Sequence, residues 1–162
     1  VVVGDAGGIL SHRSLQIGAV RLTERAGLGG TTAIDSLDLT EAALQAEAAL
    51  EGLEAPPFPC AMVASGGTAA NLAGMERGAL DPAAIHAMLL PVERIRQRAA
   101  SLAAMPLEER RRVPGLEPAR ADVIVAGALI QAALAEHFGC AEVRVSARGL
   151  RYGLLFTMRD GV

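Results

Sequence analysis

The chain has no lysine and no tryptophan, and among its 162 residues only Phe58, Phe138, Phe156 and Tyr152 are aromatic. Single-stranded nucleic acids are held by bases stacked on aromatic side chains, so this class of partner is excluded. A net charge of −3 also argues against a strongly nucleic-acid-binding chain. Cysteine is scarce: Cys60 and Cys140 form no CxxC and no cluster with His12, His86 or His137, so neither a disulfide framework nor a zinc site is suggested. A reducing, cytoplasmic setting fits. Long apolar runs are missing too. The most apolar stretch, Ala121 to Ala135, is too short for a bilayer and carries Asp122 and Gln131 at or near its ends, and no charged-then-apolar leader opens the chain. No membrane partner is expected.

What remains is a globular composition, 51% hydrophobic and 20% charged, in a length that suits one domain over residues 1–162. All 15 basic residues are arginine and 32 residues are alanine. We attribute this bias to a GC-rich genome, so arginine content alone carries no functional weight.

Val1-Val2-Val3, then Gly4-Asp5-Ala6-Gly7-Gly8, then Ile9 to Ile17 read as strand, turn, strand. The first strand is so short that a segment upstream is expected to have been cut away. Ala19 to Arg25 has a helical look. Asp38, with Glu41 three residues on, predicts a capped helix with an apolar stripe of Ala43, Ala46, Leu50 and Leu53, ended by Pro56, Pro57 and Pro59. Cys60 to Ala64 is a short unbroken apolar run that suits a buried strand, and it leads through Ser65-Gly66-Gly67-Thr68 into an Ala-rich helix. Asp81 and Pro82 open a long helix through Leu102 that Pro91 should kink. Pro118 to Phe138 is apolar on more than one side, which predicts a mostly buried helix closed by Gly139. Glu142 to Ser146 alternates as a strand does, and after Gly149 a last helix covers Leu150 to Met158. The sum is an α/β domain with the late strands parallel.

A glycine turn between strand and helix gathers free N–H groups and the positive end of a helix dipole, an arrangement suited to phosphate. Ser65-Gly66-Gly67-Thr68 has this form, although the same turn also serves as a tight connection that binds nothing. Asp5-Ala6-Gly7-Gly8 superficially resembles a phosphate loop, but Ile9 and Leu10 begin a strand at once, so a hairpin turn is expected. Arg110-Arg111-Arg112 could meet a polyanion, since a guanidinium binds phosphate oxygens bidentately, but a solvated helix end is the favoured reading. Ser146, Arg148, Gly149 and Arg151 place two guanidinium groups at the glycine turn that ends a strand, where they either meet an anion or face solvent. The three histidines are isolated, and no catalytic triad can be inferred.

Taken together, Ile17 to Glu24, Ala64 to Ala73, Pro114-Gly115-Leu116 with Arg120 to Ile124, and Val145 to Leu155 resemble, in order and spacing, the exopolyphosphatase and guanosine pentaphosphate phosphatase (Ppx/GppA) family. The resemblance covers essentially the whole chain. It implies the second of two ribonuclease-H-like halves of an actin-like ATPase superfamily module: a mixed sheet with flanking helices whose first strand is missing here, leaving four strands with a gap or a rearranged edge. The intact enzyme would hydrolyse a terminal phosphate of inorganic polyphosphate or pppGpp with Mg²⁺. The other half, its phosphate loop and the glutamate base would lie outside this chain, and most Mg²⁺ ligands with them. By motif match, Ser65, Gly66, Gly67 and Thr68 would hold phosphate, with Arg21, Arg148 and Arg151 as further polyanion contacts. A homodimer is a further expectation. The alternatives that stay open are a catalytically empty phosphate or guanine-nucleotide-binding module and an ATP-dependent kinase of the same superfamily.

Overall fold

The computed structural model describes residues 1–56 and 59–159; Pro57, placed above among the residues that end a helix, and the aromatic Phe58 lie outside them. Strands β1 (Val2–Asp5) and β2 (Gly8–His12) form an antiparallel hairpin. Its turn is built by Asp5, whose Oδ1 accepts from the Gly7 N–H at 2.7 Å, and by Gly8 at φ +132°, where a side chain would be strained. Gly7 and Gly8 thus lie in a hairpin turn. β2 stops at His12 instead of running to Ile17. Its register pairs His12 with Val2 and the Arg13 backbone with Val1, and among the described residues the pairing ends there.

Helix α1 (Ala19–Arg25) precedes α2 (Ser36–Ala48). The cap of α2 is Asp35, which accepts from the Leu37 N–H at 2.8 Å, not Asp38. Asp38 falls in the first turn, where the helix dipole still favours its charge, and Glu41 accepts from Gln45 rather than closing a capping box. β3 (Met62–Ser65) leads into α3 (Gly67–Arg77).

The single kinked helix expected from Asp81 to Leu102 is three elements: a short α4 (Pro82–Ile85), β4 (Leu89–Pro91) and α5 (Val92–Ala103). Proline clashes with a helical residue before it and donates no hydrogen bond, so Leu90 turns extended and buries its side chain while Pro91 sits at the end of an edge strand. α6 (Leu107–Arg110) follows, then a 3₁₀ turn, Pro118–Arg120, and α7 (Ile124–His137). A continuous helix from Pro118 does not form; the Ala121 carbonyl, which would have served it, accepts from the Arg110 guanidinium at 3.3 Å. Arg110 also corrects the reading of a solvated arginine run. It is fully buried, donating to the carbonyls of Met105 and Thr32 as well, whereas Arg111 and Arg112 are exposed.

α7 ends in a Schellman motif: Gly139 at φ +65° donates to Glu136, and Cys140 donates to Ala135 at 2.7 Å. β5 (Glu142–Ser146) and α8 (Leu150–Arg159) complete the described chain. β5 is the centre of a mixed three-stranded sheet in the order β3-β5-β4, parallel to β3 and antiparallel to β4. The hairpin is a separate sheet, so the strands do not form one sheet of four.

The core explains the α/β architecture. Val143 and Val145 of β5 point into a cluster with Leu72 of α3, Ile95 and Leu102 of α5 and Ile124 and Val125 of α7. The opposite side of α7, through Ala126 and Ala133, packs with Leu22 of α1 and Ala42 and Ala46 of α2. α7 is buried on both sides because it is apolar all round. Between β1 and β3 lies a cleft of about 480 Å³ lined by Val1 to Gly4, Cys60 to Ser65 and, from α7 and its C-terminal end, Gln131, Leu134, Phe138 and Cys140. Among the described residues no helix is long and apolar enough to cross a membrane.

Candidate functional site

β3 and β5 are neighbours, parallel and in register, with Ser65 beside Ser146 at their last paired positions. Each strand then enters a glycine turn and a helix: Gly66 into α3, Gly149 into α8. Two adjacent parallel strands therefore deliver two helix N-termini to one edge of the sheet, the location where open α/β sheets bind ligands. A depression of about 250 Å³ lies there, lined by Gly66, Gly67, Ala70, Ser146, Ala147, Gly149, Arg151 and Tyr152. Gly66 adopts φ +99°, a conformation L side chains rarely take, and no side-chain cap occupies the first turn of α3. The first N–H groups of a helix have no partner within it, so those of α3 suit an anion.

The structure places the expected residues unevenly. Gly66, Gly67 and Arg151 line this depression, and Ser146 with them. Ser65 lies on the cleft beside β1 instead. Thr68 packs its side chain onto α7: a Cβ built on Gly127 would stand 2.6 Å from Thr68 Oγ1. Arg148 follows Ser146, whose Oγ accepts from the Arg148 N–H at 3.2 Å, but Arg148 does not line the depression. Arg21, on α1, donates to Gln16 Oε1 at 3.0 Å and is not part of it either.

Arg120 is not among the expected contacts, although it belongs to one of the segments that carry the family resemblance. Its guanidinium lies against the first turn of α3, so close that a Cβ on Gly67 would meet Arg120 Cζ at 2.5 Å. Asn71 fixes this approach. Buried on α3, it donates to the Gly67 carbonyl at 2.8 Å and accepts from the Glu117 N–H at 2.6 Å, tying the turn that carries Arg120 to the glycine turn. Arg120 pairs loosely with Glu117, Nε to Oε2 at 3.6 Å, with both side chains about half exposed. No local signal marks this contact, because the residues that create it are 46 positions apart. A second approach of two backbones holds the same region: Gly115 (φ +81°) lies on Gly74, where a Cβ would stand 2.0 Å from the Gly74 oxygen.

The donors lining the depression are amides, the Ser146 and Tyr152 hydroxyls and the Arg151 guanidinium, with Arg120 against Gly67 beside it; among the described residues no carboxylate lines it, Glu117 being the ion-pair partner of Arg120. No group of three or more His, Cys, Asp or Glu side chains that could hold a metal ion occurs among the described residues. The residues present therefore suit an anion and do not by themselves compose a Mg²⁺ site.

Comparison with known proteins gives the family and the fold. The model of the Ppx/GppA phosphatase family matches residues 1–161. The crystal structure of an Aquifex aeolicus member of the Ppx/GppA family superposes with a TM-score of 0.88 at 29% identity, covering 99% of this chain and 52% of that one. A type II variant of the A. aeolicus Ppx/GppA phosphatase gives 0.86 at 30% identity, with 96% and 52% covered. An exopolyphosphatase from Cytophaga hutchinsonii gives 0.82 at 24% identity, with 99% and 53% covered, and shows likeness of fold. The chain spans about half the length of these solved relatives. No curated protein matches it.

Proposed function

Since the chain belongs to the Ppx/GppA phosphatase family, we propose that it forms one wall of a cleft in which a longer protein hydrolyses a terminal phosphate of inorganic polyphosphate or of pppGpp. The observation that carries this reading is the convergence of two glycine turns, two helix N-termini, Arg120 and Arg151 at the ends of β3 and β5. The reaction is attack by water on a terminal phosphorus, with the new P–O bond forming as the anhydride P–O bond breaks. Such a transition state spreads charge over the phosphoryl oxygens, and placed donors stabilise it. In this chain the amide N–H groups of Gly66 and Gly67 would donate to one phosphate group of the substrate. Arg120 would lie over it from the α7 side, and Arg151 would reach it from the first turn of α8.

The donor set explains a division of labour. Binding a polyanion needs what this chain has. Orienting or deprotonating the attacking water needs a carboxylate at the phosphorus, and among the described residues none lines this depression. Mg²⁺, implied by the family, would have to find most of its ligands elsewhere in the longer protein. The expected behaviour of the 162-residue chain is thus binding without turnover.

Two measurements test the proposal. Titration calorimetry of the chain with medium-length inorganic polyphosphate should show binding that weakens with salt. Phosphate release with Mg²⁺ present, from polyphosphate and from pppGpp, should stay at background for the chain alone and rise when it is joined to the half that its relatives carry. Loss of one placed donor commonly costs ~10²–10³-fold in rate, and several would be missing together. Sustained Mg²⁺-dependent release by the chain alone would overturn the division of labour. Absence of polyphosphate and pppGpp binding and turnover in the joined protein would overturn the function.

A further inference from the structure

Two thiols that look unrelated in sequence meet at the end of the sheet opposite the glycine turns. Cys60 stands two residues before β3 and Cys140 two residues before β5. Carrying the parallel register Met62↔Val143 back by two positions sets Cys60 beside Ala141, one residue from Cys140. Neighbouring strands lie about 4.8 Å apart, and an offset of one residue, about 3.3 Å along the strand, still leaves two Cα atoms within the roughly 4.4–6.8 Å that a disulfide spans. The side chains have made the approach: Cys60 Sγ and Cys140 Sγ are 3.7 Å apart, and both cysteines are free. The Schellman turn at Gly139 and the bond from the Cys140 N–H to Ala135 hold Cys140 in place.

Access is unequal. Both cysteines line the cleft between β1 and β3, but Cys60 is half-buried while Cys140 is 8% exposed. Burial, aided by the contact with Cys60, pushes the Cys140 thiol above its ordinary pKa. The thiolate is the attacking species in exchange, so the more open member of such a pair reacts first.

We propose that Cys60 and Cys140 are a reversible dithiol–disulfide pair, oxidised by a small-molecule disulfide such as oxidised glutathione. The Cys60 thiolate attacks one glutathione sulfur, forming a mixed disulfide and expelling one glutathione thiolate. Cys140, its proton given to solvent, attacks Cys60 Sγ; the internal S–S bond forms and the second glutathione thiolate leaves. The two protons released by the protein thiols end on the two glutathione thiolates. Two protein thiols are oxidised and one glutathione disulfide is reduced to two thiols. The bond joins the leading ends of β3 and β5 across a loop of 80 residues.

The test is titration of the folded chain with oxidised glutathione, followed by intact mass and thiol counting. The wild-type chain should lose two hydrogens and both thiols, carry no glutathione adduct, stay monomeric on non-reducing gels and recover both thiols with dithiothreitol. Its melting temperature should rise by several degrees on oxidation. Cys140→Ser should instead hold one glutathione on Cys60, and Cys60→Ser should react at least ~10-fold more slowly than wild type. Retention of both thiols in the wild type, a stable glutathione adduct on it, or disulfide-linked dimers would each overturn the proposal. Equal reactivity of the two single variants would overturn the assigned order of attack.

Discussion

Replacing Gly67 by alanine separates the anion site from the fold, because one methyl group meets the guanidinium of Arg120 and little else. Gly67 begins α3 and needs no left-handed backbone, so alanine is allowed there and adds helix propensity of at most about 1 kcal/mol. The new Cβ would stand 2.5 Å from Arg120 Cζ and 2.7 Å from its Nε. Carbon atoms rest at roughly 3.5–4.0 Å, so the guanidinium must leave. Its departure is easy for the fold: the side chain is 46% exposed and its ion pair with Glu117 is long, a kind worth about 0–1 kcal/mol. A phosphate at the turn, however, loses a charge-assisted donor. Hydrogen bonds to charged groups contribute ~1.5–3 kcal/mol, and exposure puts this one at the lower end, so affinity should fall about tenfold. Arg120→Ala should produce the same loss by deleting the group that Gly67→Ala displaces. The double variant should then bind no worse than either single one, a coupling as large as the effect itself. Calorimetry with inorganic polyphosphate reads the affinities, and thermal melting should show a Tm unchanged or slightly raised for Gly67→Ala. Wild-type affinity in Gly67→Ala, or losses that simply add in the double variant, would refute the assignment of Arg120 to the site.

Gly115→Ala should act on the fold instead, since its Cβ would stand 2.0 Å from a backbone oxygen at a φ of +81°; backbone strain and overpacking together should cost about 2–4 kcal/mol in denaturant melts, and a loss under ~0.5 kcal/mol would show that the Gly74–Gly115 approach is not tight. Glu76 supplies a pH test. Burial works to raise its pKa, but hydrogen bonds from Arg94 and Arg98 prevail and hold it below the ordinary glutamate range. A depressed folded-state pKa means stability that is present above the unfolded value of about 4.3 and lost as pH falls through the folded value. Glu76→Gln should therefore destabilise at pH 7, by an amount that shrinks toward zero as the pH falls through the folded value; a difference that does not change with pH would remove the carboxylate from that role.

Much of the architecture was legible in local pattern. The Asp5 to Gly8 turn, the strand, glycine turn and helix order from Cys60 onward, and the buried helix before Gly139 each follow from residues within a few positions of one another. What was not legible depends on contacts far along the chain. β4 exists because Leu90 finds β5, 53 positions away at Val143, once Pro91 has forbidden a helix. Arg110 reads as one of three solvated arginines until the carbonyls of Thr32 and Ala121 fold around it. The site divides the same way. Gly66, Gly67 and Arg151 stand where strand-and-turn logic puts them, whereas Arg120 reaches the site through Asn71 and the 3₁₀ turn, and Thr68 turns to α7 to fill the space that Gly127 leaves open.

The cleft between β1 and β3 bears on how this protein behaves in a tube. Among the described residues β1 pairs only with β2, and β3 only with β5, so each turns one edge with no strand beside it toward surroundings shared with the other. Backbone N–H and C=O groups on such edges template any extended chain that fits, and Val1, Val2 and Val63 add apolar side chains there. Every copy of the chain is then both a host and a source of strands for other copies. Self-association of this 162-residue chain should rise with concentration, and a fused segment able to lie along either edge should do more to keep it monodisperse than any change to its charged surface.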